Sequence, residues 1–527
     1  MIILSLLIVS ALILAFKIQS ANAQGGTITI NADGSVTPST APISTTDNIT
    51  YTLTGNINAT ANTNGIVIER YNIVLDGAGY TLAGSAPGLG LGTIYGIMLT
   101  AMTGVTVRNI VITGFSYGIL LDIGSGNTLS GNTITGYRLG GGSTPAGIEL
   151  EGSVVNVLSD NDVTGEANGI LLYSGSNNNT LSGNTLTGNE ANGIELDSSS
   201  NNTLSANNVM GNNFGIFLYS SSDNNILSGN EVANNYAPGI ELDSSSGNTM
   251  FGNTVTANKG YGIWLVSSPG NYIFHNSLVN NSAQAVTDGS ANTWDNGYPS
   301  GGNYWSNYNG TDLLRGANQN VPGSDGIGDT PYIIDGNNTD HYPLMGPYGP
   351  TANTGSNISV YPSQDFWLIF QNVTAAGTVI LNETATVPAP AVDLVGPYYV
   401  INVTASFSGN VKVIVAFDGL NMTQQEKGNL TMMQYTPIPG DVAAPYGQVD
   451  MSDIITILYA FGSTPGKPNW NPACNLEGNG RIVMGDVVIA LLNFGKTANW
   501  INITLYVDTT NNIIYGNTTH FSFICIH

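Results

Sequence analysis

Short stretches of the chain alternate apolar and polar residues, as in GIELDSSSNNTLS over residues 193–205. An apolar position at every second residue predicts β-strands that each turn one face into a core. The Asn, Gly and Ser residues between these stretches predict tight corners, and the intervals are too short to hold a helix. Residues 65–300 are therefore expected to consist of strands and corners.

These stretches recur at a nearly constant interval. The dipeptide Gly-Ile returns at Gly96, Gly118, Gly147, Gly169, Gly193, Gly215, Gly239 and Gly262. One Asn series has steps of 23 residues apart from one step of 29, at Asn109, Asn132, Asn161, Asn184, Asn207, Asn230, Asn253 and Asn276. A second series has the same steps, at Asn127, Asn156, Asn179, Asn202, Asn225, Asn248 and Asn271. Such a repeat predicts a parallel β-helix, in which each coil covers the core of the next. Both Asn series are expected to form structural amide ladders at the corners.

The residues two and four positions after each repeated Gly are predicted to point away from the core. From residue 149 onward, acidic pairs alternate with apolar or aromatic pairs. The acidic candidates are Glu149, Glu151, Glu195, Asp197, Glu241 and Asp243. The aromatic candidates are Tyr173, Phe217, Tyr219 and Trp264. Aromatic rings stack on sugars and carboxylates accept hydrogen bonds from sugar hydroxyls, so this pattern favours a carbohydrate-binding face.

Two alternatives stay open for the same residues. Paired carboxylates also serve as acid and base in polysaccharide hydrolysis, although three equivalent pairs are unlike a single active site. The alternation also keeps like charges on neighbouring strands apart, which is a purely structural role.

The charge balance narrows the choice of partners. The chain has 11 Lys and Arg against 35 Asp and Glu, a net charge of −24. Nucleic acids and anionic membranes are therefore excluded as partners, and polyanionic glycans are disfavoured. Four His and two Cys supply no soft-ligand cluster for copper. Cys474 and Cys525 form either one disulfide or two buried thiols.

The N-terminus predicts export to the cell surface or the extracellular space. Residues 2–16 are apolar, and Ala21-Asn22-Ala23 is a small-residue cleavage site. Cleavage after Ala23 is expected, with an uncleaved N-terminal anchor as the alternative. No later stretch is apolar for long enough to span a membrane.

The coils, the segment NIVLDGAGYTL (72–82) and the segment from GNYWSNYNG to DGIGDTPYIID (302–335) resemble the NosD-like right-handed β-helix proteins. That family includes periplasmic copper-binding proteins and carbohydrate-binding or sugar-hydrolysing domains, and it is abundant on archaeal surfaces. The resemblance covers about residues 25–350 and implies a right-handed β-helix. Within it, Asp325, Asp329 and Asp335 are spaced so as to wrap a hard cation, with an ordered loop of Asx turns as the alternative.

Residues 474–495 (CNLEGNGRIVMGDVVIALLNFG) resemble a dockerin calcium loop and its helix. The resemblance implies calcium as the cofactor, a cohesin-like protein as the partner, and ligands at Asn475, Glu477, Asn479, Arg481 and Asp486. An upstream loop offers Asp441 and Asp453 but departs from the pattern at Ala443 and Pro445. The alternative is a small helical pair with a purely structural calcium ion.

The expected fold class is all-β: a parallel β-helix followed by a β-sandwich that carries a small helical insertion. Terminal strands must pair with earlier ones to be stable, so the sandwich is expected to be interrupted by the dockerin-like segment. The predicted segments are a signal peptide (1–23), an N-terminal cap (24–64), the β-helix (65–300), a C-terminal cap (301–350), a linker (351–356), the sandwich (357–438 and 498–527) and the insertion (439–497). The expected function is surface display of a carbohydrate- or partner-binding face, with a hydrolase or lyase and a structural envelope component as alternatives.

Overall fold

The computed structural model describes residues 26–85, 94–136, 145–323, 325–349, 351–363, 365–384, 398–417, 422–436, 449–465, 467, 469–477, 481–494, 499–521 and 523–527. The predicted signal peptide, Asp441 and Asn479 lie outside these residues. The chain divides into two compact units. Unit one runs to Asp295 and adds Trp305–Asn309 and Tyr332–His341, and unit two comprises Asn296–Tyr304, Gly310–Pro331 and Tyr342–His527.

Unit one is a right-handed parallel β-helix built from three sheets. Sheet one contains Val36–Thr37, Ile28–Ile30, Ile66–Ile68, Tyr95–Thr100, Tyr117–Asp122, Ala146–Glu151, Asn168–Tyr173, Asn192–Asp197, Phe214–Tyr219, Ile240–Asp243, Ile263–Val266 and Ala285–Thr287. Sheet two contains Ile43–Ser44, Thr50–Leu53, Val74–Asp76, Thr106–Arg108, Thr128–Ser130, Val157–Ser159, Thr180–Ser182, Thr203–Ser205, Ile226–Ser228, Thr249–Phe251 and Tyr272–Phe274. Sheet three includes Ile57–Asn58, Thr81–Ala83, Val111–Thr113, Thr133–Thr135, Asp162–Thr164, Thr185–Thr187, Asn208–Met210, Glu231–Ala233, Thr254–Thr256 and Ser277–Val279.

The Gly-Ile dipeptide recurs because of how closely the coils approach one another. Each Ile fills the core, and Ile170, Ile194 and Ile216 lie in register and fully buried. A Cβ on Gly193 would lie 2.7 Å from the carbonyl oxygen of Gly215, closer than real side chains approach. Only glycine permits this stacking at that position.

The Asn series form the predicted ladders. The Nδ2 of Asn161 donates to Oδ1 of Asn184, and the Nδ2 of Asn184 donates to Oδ1 of Asn207, both at 2.9 Å. Asn109 is an exception to the prediction: the first coil is one residue shorter, so Oδ1 of Asn132 accepts the N–H of Ile110 instead. Asn109 lies at an exposed corner with a φ of 54°.

A third ladder was not predicted. It consists of Asn189, Asn212, Asn235, Asn258 and Asn281. Glu166 precedes Asn189 in this column, and its backbone N–H donates to Oδ1 of Asn189. Gln284 ends the ladder by accepting from Nδ2 of Asn281.

The β-helix begins earlier than predicted. Residues 24–64 were expected to form only a cap, yet Ile28–Ile30 pairs in parallel with Ile66–Ile68, and Thr50–Leu53 pairs with Val74–Asp76. The reason is that the alternating Ile, Tyr and Leu residues of these strands already face the core. Val36–Thr37 and Ile43–Ser44 then add antiparallel strands, which cover otherwise exposed strand edges.

The predicted C-terminal cap, residues 301–350, is shared between the units. In unit one, the buried indoles of Trp294 and Trp305 donate to Asn338 and Asp340, and Trp305 stacks on Tyr332 with ring centroids 4.1 Å apart. In unit two, the hydroxyl of Tyr361 donates to the carbonyl of Gly326. Further short strands lie at Tyr304–Trp305, Leu314–Arg315, Val321–Pro322, Tyr332–Ile333 and Thr339–Asp340.

Unit two contains two antiparallel sheets. One comprises Thr351–Ala352, Gly377–Thr384, Tyr398–Val403, Phe523–Ile526, Met432–Thr436 and Asn499–Asn502. The other comprises Gly355–Ser363, Phe366–Ala375, Ser406–Ala416, Ile513–Thr518 and Thr504–Asp508. The expected linker at 351–356 is wrong, because Ala352 is buried and pairs with Gly377 in the first of these sheets.

The described helices of unit two are short: α1 is Gln424–Gly428, α2 is Met451–Ala460 and α3 is Met484–Asn493, with a 3₁₀ turn at Pro472–Cys474. Helices α2 and α3 lie between Met432–Thr436 and Asn499–Asn502, which pair with each other. The predicted fold class, a β-helix followed by antiparallel sheets that carry a helical insertion, is confirmed. None of the described helices is long and apolar enough to cross a membrane.

Candidate functional site

One outward face of sheet one carries the predicted site residues, and it is called here the acid–aromatic face. It comprises Glu149, Glu151, Tyr173, Glu195, Asp197, Phe217, Tyr219, Glu241, Asp243 and Trp264. In its inner file, Glu195 pairs with Phe217, Phe217 with Glu241, and Glu241 with Trp264. In its outer file, Asp197 pairs with Tyr219 and Tyr219 with Asp243. The predicted alternation of acidic and aromatic rungs is thus present in the strand register.

Two of the carboxylates are far less accessible than the sequence suggested. Glu149 is 6% exposed and Glu241 is 7% exposed, although both were expected to face solvent freely. The reason is the size of their neighbours in register, Leu120 and Leu171 for Glu149 and Phe217 and Trp264 for Glu241. The Oε2 atoms of both residues have no hydrogen-bond partner.

Burial changes the acidity of these carboxyls. Desolvation raises the pKa of Glu149, and the Tyr173 hydroxyl, which hydrogen-bonds this carboxylate, lowers it in part. Desolvation, with a smaller effect of the Asp243 charge, raises the pKa of Glu241 to about 7. Desolvation also raises the pKa of Glu195, against the stabilising hydrogen bond from Asn192.

The structure adds residues that sequence reasoning missed. Nδ2 of Asn192 donates to Oε2 of Glu195 at 2.9 Å and to Oδ1 of Asn168 at 3.1 Å. Phe214 stacks on Phe217, which in turn stacks on Tyr219, with ring centroids 5.8 and 5.4 Å apart. Asn192 and Phe214 each lie three residues before a predicted site residue, so their place in the repeat could have been read from the sequence.

The described basic residues of the coils lie away from this face. Arg108 forms a salt bridge with Asp76 at 2.9 Å, and Nζ of Lys259 lies 3.9 Å from the centre of the Tyr236 ring. Arg70 donates to the backbone oxygens of Ala32 and Asn48. The strands from Ala146 to Val266 carry no Lys or Arg, so the carboxylates of the acid–aromatic face have no neighbouring cation within its described strands.

Glu241→Gln is expected to weaken the pH dependence of stability. The carboxyl has a reference pKa of 4.5 and a pKa of about 7 in the folded protein. The folded protein therefore holds this proton more tightly than the unfolded chain does. The stability that this group contributes is highest below pH 4.5 and falls as the pH rises from 4.5 to about 7. Thermal unfolding at pH values on both sides of this range should show a smaller decline for Glu241→Gln than for wild type. An unchanged slope, equal to that of the exposed control Glu231→Gln, would contradict the assignment.

The dockerin-like insertion brings together some of the predicted calcium ligands. Oδ1 of Asp486 accepts the N–H of Glu477 at 2.9 Å and Oδ2 accepts the N–H of Val483 at 2.7 Å. Oδ2 of Asp453 accepts the N–H of Asp450 in the first turn of α2. Oδ1 of Asn475 is buried without a partner, whereas Arg481 is exposed. Among the described residues no three His, Cys, Asp or Glu residues form a metal-binding group.

The predicted cation loop at residues 325–335 is not assembled. Asp325 accepts from Gly316 and Gln319, and Asp329 accepts from Leu313 and Leu314. Asp335 belongs to unit one, where Asn338 donates to both of its oxygens. Each of the three carboxylates thus accepts hydrogen bonds from a different set of donors.

Helices α2 and α3 expose equivalent apolar residues at the same positions. The segments MSDIITILYAFG (451–462) and MGDVVIALLNFG (484–495) match at a constant offset. Their exposed apolar residues, called here the helical apolar face, are Met451, Ile455, Leu458, Tyr459, Phe461, Met484, Val488, Leu491, Leu492 and Phe494. Tyr459 is 80% exposed and Leu492 is 72% exposed, which is unusual for apolar residues of a soluble helix.

The fold and the acid–aromatic face define a right-handed parallel β-helix protein with an outward face of acidic and aromatic residues. The family model described as "Periplasmic copper-binding protein (NosD)" matches residues 13–192, 73–254 and 143–310. These matches together span more than half of the chain, which therefore belongs to the NosD family. No curated protein matches it in sequence.

Several solved structures are similar at low scores. The periplasmic alginate epimerase AlgG has 15% identity over 51% of this chain and 84% of its own, with a TM-score of 0.30. The Azotobacter vinelandii mannuronan C-5 epimerase AlgE4 A-module has 15% identity over 50% of this chain and 87% of its own, with a TM-score of 0.33. The Dettilon tailspike protein has 14% identity over 79% of this chain and 75% of its own, with a TM-score of 0.37. At such scores the likeness does not bear on what this chain binds.

The described residues do not fit a copper site. Copper favours His and Cys ligands, and both cysteines are free and buried, with Cys474 packed in the apolar cluster of the helical insertion. His275 is the one His in the coils, and its ring packs edge-on against Phe274. The described side chains therefore supply no group of the soft ligands that copper favours.

Proposed function

We propose that this protein is exported to the cell surface or the periplasm and binds a polysaccharide along the acid–aromatic face. The observation that carries the proposal is the strand register, which places Phe217 and Tyr219 between carboxylates on both neighbouring rungs. Stacked rings supply flat surfaces for sugar C–H groups, and the carboxylates accept hydrogen bonds from hydroxyls. Equivalent rungs along a rod suit a repeating ligand better than a single small molecule.

The polysaccharide proposal predicts that Phe217→Ala and Tyr219→Ala each weaken glycan binding about tenfold, as expected when a stacking contribution of roughly 1.4 kcal/mol is lost. The full chain is titrated with neutral and amine-bearing oligosaccharides, and binding is followed by calorimetry. Phe251→Ala is the matched control, because Phe251 stacks on Phe274 with centroids 5.6 Å apart on sheet two. Equal losses in the control, or no binding by any of these glycans, would remove the proposal.

The same titrations decide between binding and hydrolysis. If reducing ends appear, and if Glu195→Gln and Glu241→Gln stop their release, the face is a hydrolase site. The threefold repetition of the acid pair favours binding without cleavage.

We also propose that the insertion docks onto a cohesin-like module through the helical apolar face, with calcium ordering the loop before α3. The matched exposed residues of α2 and α3 support this proposal, since large apolar patches mark interaction sites. The buried, unpartnered Oδ1 of Asn475 and the neighbouring Glu477 are oxygen donors of the kind calcium takes. The calcium ion would stiffen this loop and so fix the start of α3.

The docking proposal predicts that Leu458→Asp and Leu491→Asp abolish binding to a panel of recombinant cohesin modules, because each places a charge on the helical apolar face. Ser452→Asp is the control, since it adds the same charge to an exposed polar position of α2. Binding by wild type should weaken on removal of calcium and in Asn475→Ala. If none of the cohesin modules binds, a cohesin-like partner is ruled out. If light scattering instead shows that the protein dimerises through this face, the partner is a second copy of the chain.

A further inference from the structure

The described strands of the acid–aromatic face present no positively charged hydrogen-bond donor. Six carboxyls lie on three of its rungs, and its described strands carry no Lys or Arg. The described basic side chains of the coils are held elsewhere by Asp76, by the Tyr236 ring and by backbone oxygens. Among the described residues, no neighbouring Lys or Arg therefore compensates the negative charge of this face.

The unsatisfied atoms of the face are all acceptors. Oε2 of Glu149, Oδ1 of Asn192 and Oε2 of Glu241 have no hydrogen-bond partner, and the three residues are 6%, 7% and 7% exposed. Asn192 is not acidic, and its amide is oriented on this face by its bond to Glu195. An unpaired buried acceptor is costly, so a ligand that supplies donors gains from each of these atoms.

A neutral glycan would meet only part of this need. Its hydroxyls donate hydrogen bonds, but a neutral ligand that covers the face removes water from the carboxylates without balancing their charge, which is unfavourable. An ammonium group supplies both donors and charge. An incoming ammonium group first contacts the half-buried carboxylates of Glu151, Asp197 and Asp243. The carboxyls of Glu149 and Glu241 are more deeply buried, and a cation close to them would favour their ionised form.

The spacing of the carboxylates restricts the ligand further. Acidic rungs alternate with aromatic rungs, so equivalent carboxylates are two strand spacings apart, about 9.6 Å. This is close to the length of two hexose units in an extended β-linked chain. An extended glycan that runs along the rod thus brings every second sugar to a carboxylate pair and the intervening sugar to an aromatic ring.

We infer that the ligand of the acid–aromatic face is an extended β-linked glycan bearing free amino groups, of the hexosamine class. This inference rests on the proposed polysaccharide-binding function and adds the chemical class of the glycan. Amines at every second sugar are sufficient to pair with the acidic rungs.

The experiment compares three oligosaccharides that share a length and a linkage: a hexamer of glucosamine, a hexamer of N-acetylglucosamine and a hexamer of glucose, all β-linked. Each is titrated into the full chain by calorimetry in mildly acidic buffer of low ionic strength. The glucosamine hexamer is expected to bind at least about tenfold more tightly than the other two, and salt at about 0.5 M should remove most of this difference. The double variant Asp197→Asn, Asp243→Asn should lose this preference and bind the three hexamers with similar affinity.

The control is the double variant Asp162→Asn, Glu231→Gln, which removes two exposed carboxylates from sheet three. Equal losses in both double variants would assign the effect to net charge and overturn the inference. If the acetylated and neutral hexamers bind as tightly as the amine, the inference falls and the polysaccharide function stands. If none of the three binds, both proposals fall.

Discussion

Asn207→Ala is expected to lower the free energy of unfolding of the β-helix by about 3 kcal/mol or more. Oδ1 of Asn207 accepts from both the backbone N–H and the Nδ2 of Asn184, and its own Nδ2 donates to Leu181 and Asn230. Alanine leaves these groups buried, away from water and without partners. Urea unfolding followed by far-ultraviolet circular dichroism measures the loss.

Asn213→Ala is the control for this substitution. Asn213 is an exposed residue at the corner that follows the strand Asn208–Met210, and it takes no part in the ladders. Its replacement should therefore change stability little. A loss for Asn207→Ala no larger than that of the control would show that the ladder contributes little to stability.

Gly215→Ala is expected to destabilise the β-helix by about 3 kcal/mol, near the upper end of the usual cost of overpacking. The added Cβ would lie 2.3 Å from the carbonyl oxygen of Gly239 and 2.5 Å from Cγ1 of Val232. Neither backbone nor core can move far, because both are fixed by the next coil. The change is measured by the same urea unfolding.

Gly211→Ala separates crowding from backbone strain. Gly211 has a φ of +67°, and a Cβ there would meet nothing within 4 Å. Its replacement should cost only about 1–2 kcal/mol, the price of a left-handed conformation. Equal effects at the two positions would mean that the approach of the coils does not explain the Gly-Ile repeat.

The β-helix could be predicted because its repeat is written directly in the residue spacing. A constant step places Asn161, Asn184 and Asn207 in one file whatever the rest of the chain does. The third ladder from Asn189 to Asn281 has the same step and was equally readable. Asn109 was misplaced because a corner in the first coil is one residue shorter, and spacing alone does not show which neighbour turns inward.

Features that depend on neighbours distant in sequence were not predictable. The alternation showed that Glu241 points outward, but its burial depends on how Phe217 and Trp264 pack in the coils on either side. The division of residues 301–350 between two units likewise depends on partners such as Tyr361. The unpartnered Oδ1 atom of Asn192 could be located only once the hydrogen bonds of the whole face were known.

The ladders also give the rod a direction. In the ladders the side-chain N–H of one coil donates to the side-chain oxygen of the coil that follows it in the chain, except at Asn202, whose Nδ2 has no partner. Most ladder amides also donate to a backbone oxygen of the preceding coil, so in a coil leaving the ribosome the second amide hydrogen is the one that stays unmatched until the next 23 residues have emerged. The chain is thus synthesised and the coils assembled in the same direction. The last coil formed is always the one whose side-chain amides still lack an acceptor for the second hydrogen.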